Sequence, residues 1–357
     1  MDEITVNRLH ERNDAIIRAV IRKADKVCPG ALELIGITGS FQHGTFYEKS
    51  DLDLFIVIGD DSGYRLAKCF VLGDVGFDIY CKTWNDLEYM AEFPHPHIKP
   101  LAECDIVYSS GNAAMERYLG LREKLNKRLS MPVDAALLSK VRVFFGDALR
   151  FLGEMQISDS YGRRKYLAAG ILHSAEYVLF MLNRKYIKSG VSGTPDELCS
   201  LELLPDGFAA LYHALISADT YDSVLTAAVG LTGAVGRFID SIGKSVSKPK
   251  PDASSLCGTY EEIHSNWYNK IKRAALTGDG YLSLMTMAAC QQFYDEMTQL
   301  FDTGDINMFG ADFPDDISLR ANCFDTAKEK WRILYDNSGI SVVRYDSIDE
   351  FVNDYLK

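Results

Sequence analysis

The sequence is short of positive charge. Its 357 residues hold 38 Lys and Arg against 50 Asp and Glu, a formal net charge of −12. Binding along a phosphate backbone needs clustered Lys and Arg, so no extended nucleic-acid footprint is expected, although a local groove can still be basic. An acidic surface favours small, neutral or cationic substrates, and at the least keeps a chain soluble. No apolar run reaches the roughly 20 residues of a membrane span, and no membrane partner is expected. The opening stretch, MDEITVNRLHERND, has no basic region followed by an apolar one, so no secretory signal is read. The eight cysteines (Cys28, Cys69, Cys81, Cys104, Cys199, Cys257, Cys290 and Cys323) form no C-x-x-C pair and no zinc-type spacing. Reduced, buried thiols in a cytoplasmic protein fit them. There is no internal repeat and no low-complexity tract.

What is there reads as an ordinary globular chain, 47% hydrophobic and 25% charged, long enough for two or three domains. Residues 5–28 space Leu9, Ile16, Ile17, Val20 and Ile21 as an amphipathic helix, stopped by Pro29-Gly30. Strands are expected at ALELIGI (31–37), at DLDLFIVI (51–58) and at CDIVYSSG (104–111). CFVLGDVGFDIYCKT reads as a hairpin turning at Gly73-Asp74. SFQHG is expected to open a short helix or helical turn at Ser40. WNDLEYMAEF reads as a helix capped by Asn85. The strands are few and short, which implies a small mixed sheet with helices, not a doubly wound fold.

After residue 127 the pattern becomes helical. Helices are expected at about 134–157, 162–188, 195–218 and 220–245, an up-and-down bundle. GKSVSKPKPDASSLCG (243–258) reads as a linker, followed by helices near 258–277, 279–303 and 316–337 and a strand-and-helix tail. The expected class is α+β, with an α/β domain over 1–127, a helical bundle over 134–245 and a mainly helical region over 258–357.

One stretch carries chemistry. In GITGSFQHGTFYEKSDLDLFIVIGDD, Gly39-Ser40 comes before Asp51 and Asp53 with ten residues between Ser40 and Asp51, and an apolar run follows. Acids are poor strand formers. Alternation along a strand puts Asp51 and Asp53 on one face, where like charges repel unless a cation sits between them. Mg²⁺ takes oxygen ligands of this kind, one or two carboxylates plus substrate phosphates. Asp78, inside the apolar frame GFDIYC, adds a third acid that would be costly without a counter-ion. Gly39 lets a ligand approach the backbone, and Ser40 can donate a hydroxyl hydrogen bond to phosphate. The bland alternative keeps Asp51 as a strand-entry residue and leaves Asp53 and Asp78 in solvent.

Gly-Ser, about ten residues, Asp-x-Asp on a strand and a third Asp on a later strand resemble the nucleotidyltransferase superfamily of DNA polymerase beta type. In detail, GSFQHGTFYEKSDLDLFIV is similar to the bacterial aminoglycoside and lincosamide nucleotidyltransferases. The likeness spans about residues 35–80. It implies Gly39 and Ser40 on the triphosphate, Asp51 and Asp53 on Mg²⁺, and Asp78 as third ligand or general base. It also implies two-metal chemistry, with a nucleoside triphosphate, ATP first, as co-substrate and a small-molecule hydroxyl as acceptor. The alternatives are a toxin–antitoxin or regulatory enzyme acting on a protein or RNA end, and a binding module without catalysis. Helical domains that cleave RNA beside such enzymes carry Arg followed four to six residues later by His; residues 134–357 have no such pair.

The helix YLAAGILHSAEYVLFMLNRKY is apolar except for His173, Glu176 and Asn183. Glu176 stands as a general base or acceptor ligand, as a helical-domain acid does in some aminoglycoside enzymes, or as part of a satisfied polar cluster between helices. Arg163, Arg164 and Lys165 precede that helix, and Arg184, Lys185 and Lys188 follow it. Each set either reaches the triphosphate or is a solvated face. FPHPHIKP (93–100) reads as a rigid loop, since its two His lack further metal ligands. The segment 258–357 stands as an extension of the acceptor pocket or as a contact in a homodimer.

Overall fold

In the computed structural model all 357 residues, Met1–Lys357, are described. The chain is α+β and divides into two compact units, Met1–Lys244 and Ser245–Lys357. The division falls within the Ser-, Lys- and Pro-rich segment 243–258. The sheet and the helices that follow it belong to the first unit.

The first unit opens with α1 (Glu3–Val27), whose N-terminus is capped by the Asp2 carboxylate accepting from the Thr5 amide. Leu9, Val20 and Ala24 are its buried stripe. Five strands follow: β1 (Leu32–Thr38), β2 (Asp53–Ile58), β3 (Lys68–Leu72), β4 (Val75–Thr83) and β5 (Asp105–Ser109). Their order is β3-β4-β2-β1-β5. β1 is antiparallel to β2 and β5, β3 is antiparallel to β4, and β2 and β4 run parallel. The sheet is therefore mixed. β3 and β4 form the expected hairpin, with Gly73 at φ +66° in its turn.

Alternation sorts the strands into two faces. Leu32, Ile35, Leu54, Ile56, Ile58 and Ile79 pack with Val20, Ala24 and Cys28 of α1. Each such fully buried aliphatic side chain contributes roughly 1.5–3 kcal/mol. The opposite face carries Asp53 and Phe55 on β2 and Asp78 and Tyr80 on β4. It lies toward α2 (Trp84–Ala91), α3 (Lys99–Ala102) and α4 (Asn112–Leu129). The cap of α2 differs from the expected Asn85. Thr83 and Asp86 form a reciprocal capping box, which satisfies two orphan amides where Asn85 would satisfy one.

The helical part holds α5 (Ala135–Ile157), α6 (Tyr161–Leu182), α7 (Thr194–Cys199), α8 (Phe208–Ser217) and α9 (Tyr221–Ser245). α5 and α6 lie against each other along their length. Two expected helices change. The one foreseen at 162–188 stops at Leu182, because Asn183 caps it and Arg184 turns to φ +52°. The one foreseen at 195–218 is two helices, separated by a segment holding Pro205 and a left-handed Gly207. α9 has the length and apolarity of a membrane span. Its buried Val224, Ala228, Leu231, Val235 and Ile239 nevertheless recur every three or four residues, as in a bundle helix.

The second unit is helical: α10 (Ala253–Leu256), α11 (Thr259–Ile263), α12 (Asn269–Thr277), α13 (Gly280–Leu300), α14 (Ile317–Asn337) and α15 (Ile348–Tyr355). A π-helical turn, His264–Tyr268, joins α11 to α12. Trp331, Phe324 and Tyr335 of α14 pack with Tyr260, Ile271, Met287 and Tyr294. The strand expected near 340–345 does not form, and that stretch pairs with no other strand.

Candidate active site

The site is built where β1 leaves the sheet. Thr38, its last residue, pairs with Asp53, the first of β2. The chain then turns at Gly39, with φ +75°. A Cβ at this position would lie 1.8 Å from Asp53 Oδ2 and 2.8 Å from its Cγ. Two independent requirements therefore fix glycine here: a left-handed backbone and direct contact with a carboxylate. The Gly-Ser pair and the Asp-x-Asp pair are one local structure.

Residues 39–45 form a single turn, closed by the His43 amide on Gly39 O at 3.3 Å and the Thr45 amide on Ser40 O at 2.9 Å. No helix starts at Ser40. What the segment can offer an anion is a turn's amides and a hydroxyl, without an aligned helix dipole. α1 supports it. Phe41 and Phe46 stack at 4.3 Å with the His10 ring edge-on to both. Arg12 donates to Ser50 O at 2.8 Å and lies over the Phe77 ring at 4.9 Å. On the other side Gln42 Nε2 donates to Glu103 O. The Glu103 carboxylate meets His43 Nε2 at 3.4 Å and accepts from Tyr186 OH at 2.9 Å.

The three acids are placed differently from one another. Asp51 lies two residues ahead of β2, in the entry loop and half-buried, so strand alternation does not set its direction. Its negative charge still acts on Asp53. Asp53 is the one exposed residue of an otherwise buried strand. Its outer surface is open while Oδ2 rests on the Gly39 backbone, so the burial that matters is local to the carboxylate. That burial, then the charge of Asp51, push its pKa up; the Lys99 ammonium opposes them. Asp78 stands beside Asp53 on the neighbouring parallel strand, one step before the Leu54–Ile79 pair. It is exposed, and its Oδ1 accepts from Cys69 Sγ at 3.0 Å. Burial and then Asp53 and Asp78 raise the pKa of Tyr80 to about 12.

Asp51 and Asp53 fit a hard cation: two carboxylate donors, one of them, Asp53, carrying a cost of charge that Lys99 offsets only in part. That meets the one or two carboxylates Mg²⁺ uses when phosphates complete its shell. No group of three or more His, Cys, Asp or Glu side chains converges on a single point. Asp78 is a neighbour of the pair, not part of a closed three-acid cage.

Glu176 lies on α6. It accepts from Tyr212 OH at 2.6 Å and meets His173 Nδ1 at 3.7 Å, with 17% of its side chain exposed. It is a braced carboxylate between α6 and α8. Asn183 is separate. Its amide spans Leu179 O and Leu203 O, and its oxygen accepts from the Leu203 amide. The loop FPHPHIKP does find partners, from α6. The His97 ring lies 6.1 Å from that of His173 and 5.1 Å from Tyr177. Burial, then His173 and His95, hold His97 toward its neutral form. Lys99, two residues on, is the cation that acts on Asp53. The loop thus runs from the carboxylate pair to the Glu176 cluster. Sequence reasoning missed Lys99, Glu103, Tyr186 and Arg12, each of which reaches the site through a group distant in the chain.

Arg163, Arg164 and Lys165 are structural. Arg163 pairs with Glu154 at 2.7 Å, buried Arg164 donates to Tyr221 O at 2.7 Å, and Lys165 caps Ile216 O and Ala218 O at the end of α8.

No known protein family matches the chain by sequence, and no curated protein matches it. Among solved structures, the chain is similar to a nucleotidyltransferase-like protein from Exiguobacterium sibiricum 255-15. The identity is 12% and the TM-score 0.38, over 70% of this chain and 80% of that one. A likeness this distant transfers neither a residue role nor an activity.

Proposed function

We propose that this chain is a Mg²⁺-dependent nucleotidyltransferase. It moves a nucleoside monophosphate, AMP first among them, from the triphosphate to a hydroxyl of a small molecule, with antibiotic-like acceptors as the leading class. The observation that carries the reading is the contact of Gly39 with Asp53 Oδ2, beside Asp51. It brings a turn that is free of a side chain at Gly39 and carries a hydroxyl at Ser40 against two carboxylates whose charges repel. A triphosphate with its metal supplies what each half needs.

Asp51 and Asp53 are the metal ligands in this reading. When bound, Mg²⁺ offsets the negative charge of the phosphates. The Ser40 hydroxyl and the turn's amides other than those of His43 and Thr45, which close the turn, donate to phosphate oxygens, and Gly39 lets them approach. Asp78 Oδ2, the oxygen Cys69 leaves open, accepts the proton of the acceptor hydroxyl. The acceptor oxygen bonds to the α-phosphorus while the bond to the bridging oxygen breaks. Pyrophosphate leaves with that electron pair. Glu176, held by Tyr212, orients the acceptor.

Thermal unfolding with ATP, GTP, CTP or UTP, each with and without Mg²⁺, tests this. A ligand at 100 times its Kd adds about 2.7 kcal/mol of stability. The reading requires a rise in Tm that needs both nucleotide and Mg²⁺. No rise with any triphosphate at millimolar concentration would sink it.

A further inference from the structure

The basic residues after α6 are not accounted for by the carboxylate site. Arg184, Lys185 and Lys188 line a cavity of about 350 Å³, together with Asn126, Ser130 and Tyr186. That volume is at the small end of ligand pockets. No acid lines it, in a protein of net charge −12. The acids nearby are spoken for. Asp134 accepts from Arg184 Nη2 at 3.2 Å, and Glu197 accepts the backbone amides of Lys188 and Ser189. Lys185 and Lys188 enter no ion pair.

Arg184 is the unusual member. It sits at φ +52°, a left-handed conformation uncommon outside glycine and worth attention when a bulky residue adopts it. Its side chain is only 9% exposed. Nη2 reaches Pro132 O at 2.8 Å as well as Asp134, yet its buried Nε–H finds no hydrogen-bond partner. A buried guanidinium with an unmet donor is costly. The backbone turn that ends α6 early is what carries this arginine and the two lysines to one cavity.

We infer that this cavity binds the phosphate group of an anionic small molecule, held by Arg184, Lys185 and Lys188 with the Asn126 amide as a further donor. Several cations around one small cavity suit the multiple charge and several acceptor oxygens of a phosphate better than a single carboxylate. Tyr186 links the cavity to the catalytic turn, since its hydroxyl donates to Glu103, which contacts His43 and Gln42. The phosphate has two sources: a separate phosphorylated ligand, or the nucleotide's own tail.

Calorimetric titration with pyrophosphate in EDTA tests the cavity without the metal. Wild type is expected to bind. Lys185→Ala/Lys188→Ala, which changes only exposed side chains, is expected to bind at least about tenfold more weakly. Lys26→Ala/Lys244→Ala, of equal net charge, is expected to bind like wild type. Repeating the titration on protein saturated with ATP and Mg²⁺ separates the sources: pyrophosphate that still binds assigns the cavity to a separate ligand, and pyrophosphate that is excluded assigns it to the nucleotide tail. No binding by wild type, or equal binding by the Lys185/Lys188 variant, overturns the inference.

Discussion

Replacing Gly39 with alanine asks whether the Gly39–Asp53 contact matters for ligand binding. An L-residue at φ +75° pays about 1–2 kcal/mol for the left-handed backbone. The new Cβ would lie 1.8 Å from Asp53 Oδ2, whereas real contacts do not fall below 3.0 Å. The carboxylate must swing away. Misplacing a reacting or binding group by about 1 Å can cost on the order of 100-fold. Gly44→Ala is the control. Gly44 has φ +68° and nothing within 4 Å of its Cβ position, so it pays the backbone cost alone. Urea unfolding should show similar losses for the two variants, about 1–2 kcal/mol each. Titration of ATP with Mg²⁺ should separate them, with binding weakened at least tenfold in Gly39→Ala and little changed in Gly44→Ala. Equal nucleotide binding by the two variants would refute the argument that Asp53 must rest on Gly39.

Two further outcomes follow from the site. Asp53 has a folded-state pKa above its unfolded value, so the native state binds its proton more readily. Its ionisation therefore subtracts stability once pH rises through the acid range, and the penalty stands at neutral pH. Asp53→Asn should thus be more stable than wild type at pH 7, with the advantage shrinking as pH falls below the folded pKa, while metal-dependent nucleotide binding is lost. Denaturant melts across pH 3–8 check the sign, and a destabilised Asp53→Asn at pH 7 would contradict it. Tyr212→Phe removes the 2.6 Å hydrogen bond to Glu176 and leaves a largely buried carboxylate short of a partner. It should cost roughly 1.5–3 kcal/mol in an unfolding experiment.

Local chemistry was legible in the sequence, and long-range chemistry was not. The end of the first strand ahead of Gly39-Ser40, the hairpin at Gly73-Asp74 and the helix from Tyr221 follow from residues close together in the chain. The cap of α2 went to Thr83 because Asp86 completes a box that Asn85 alone cannot. Pro205 and Gly207 divided one expected helix, and Arg184 ended another, a left-handed role that sequence preference gives to glycine. The strand expected near residue 342 had apolar residues but no partner strand. The ring partners of His95 and His97 are not legible in the sequence because His173 and Tyr177 lie some eighty residues later. Lys99 and Glu103 carry no motif; only the fold sets them beside Asp53 and the turn. The placing of Asp51 and Asp53 together rested on strand alternation. The structure brings their charges close by a different route, since Asp51 precedes the strand.

The most direct test is calorimetric binding of ATP with Mg²⁺ to wild type and to Asp51→Ala/Asp53→Ala, each verified as folded. The account predicts binding by wild type that disappears in EDTA and in the double variant. Undiminished Mg²⁺-dependent binding in the variant would mean that these two carboxylates do not hold the metal, and would contradict the account.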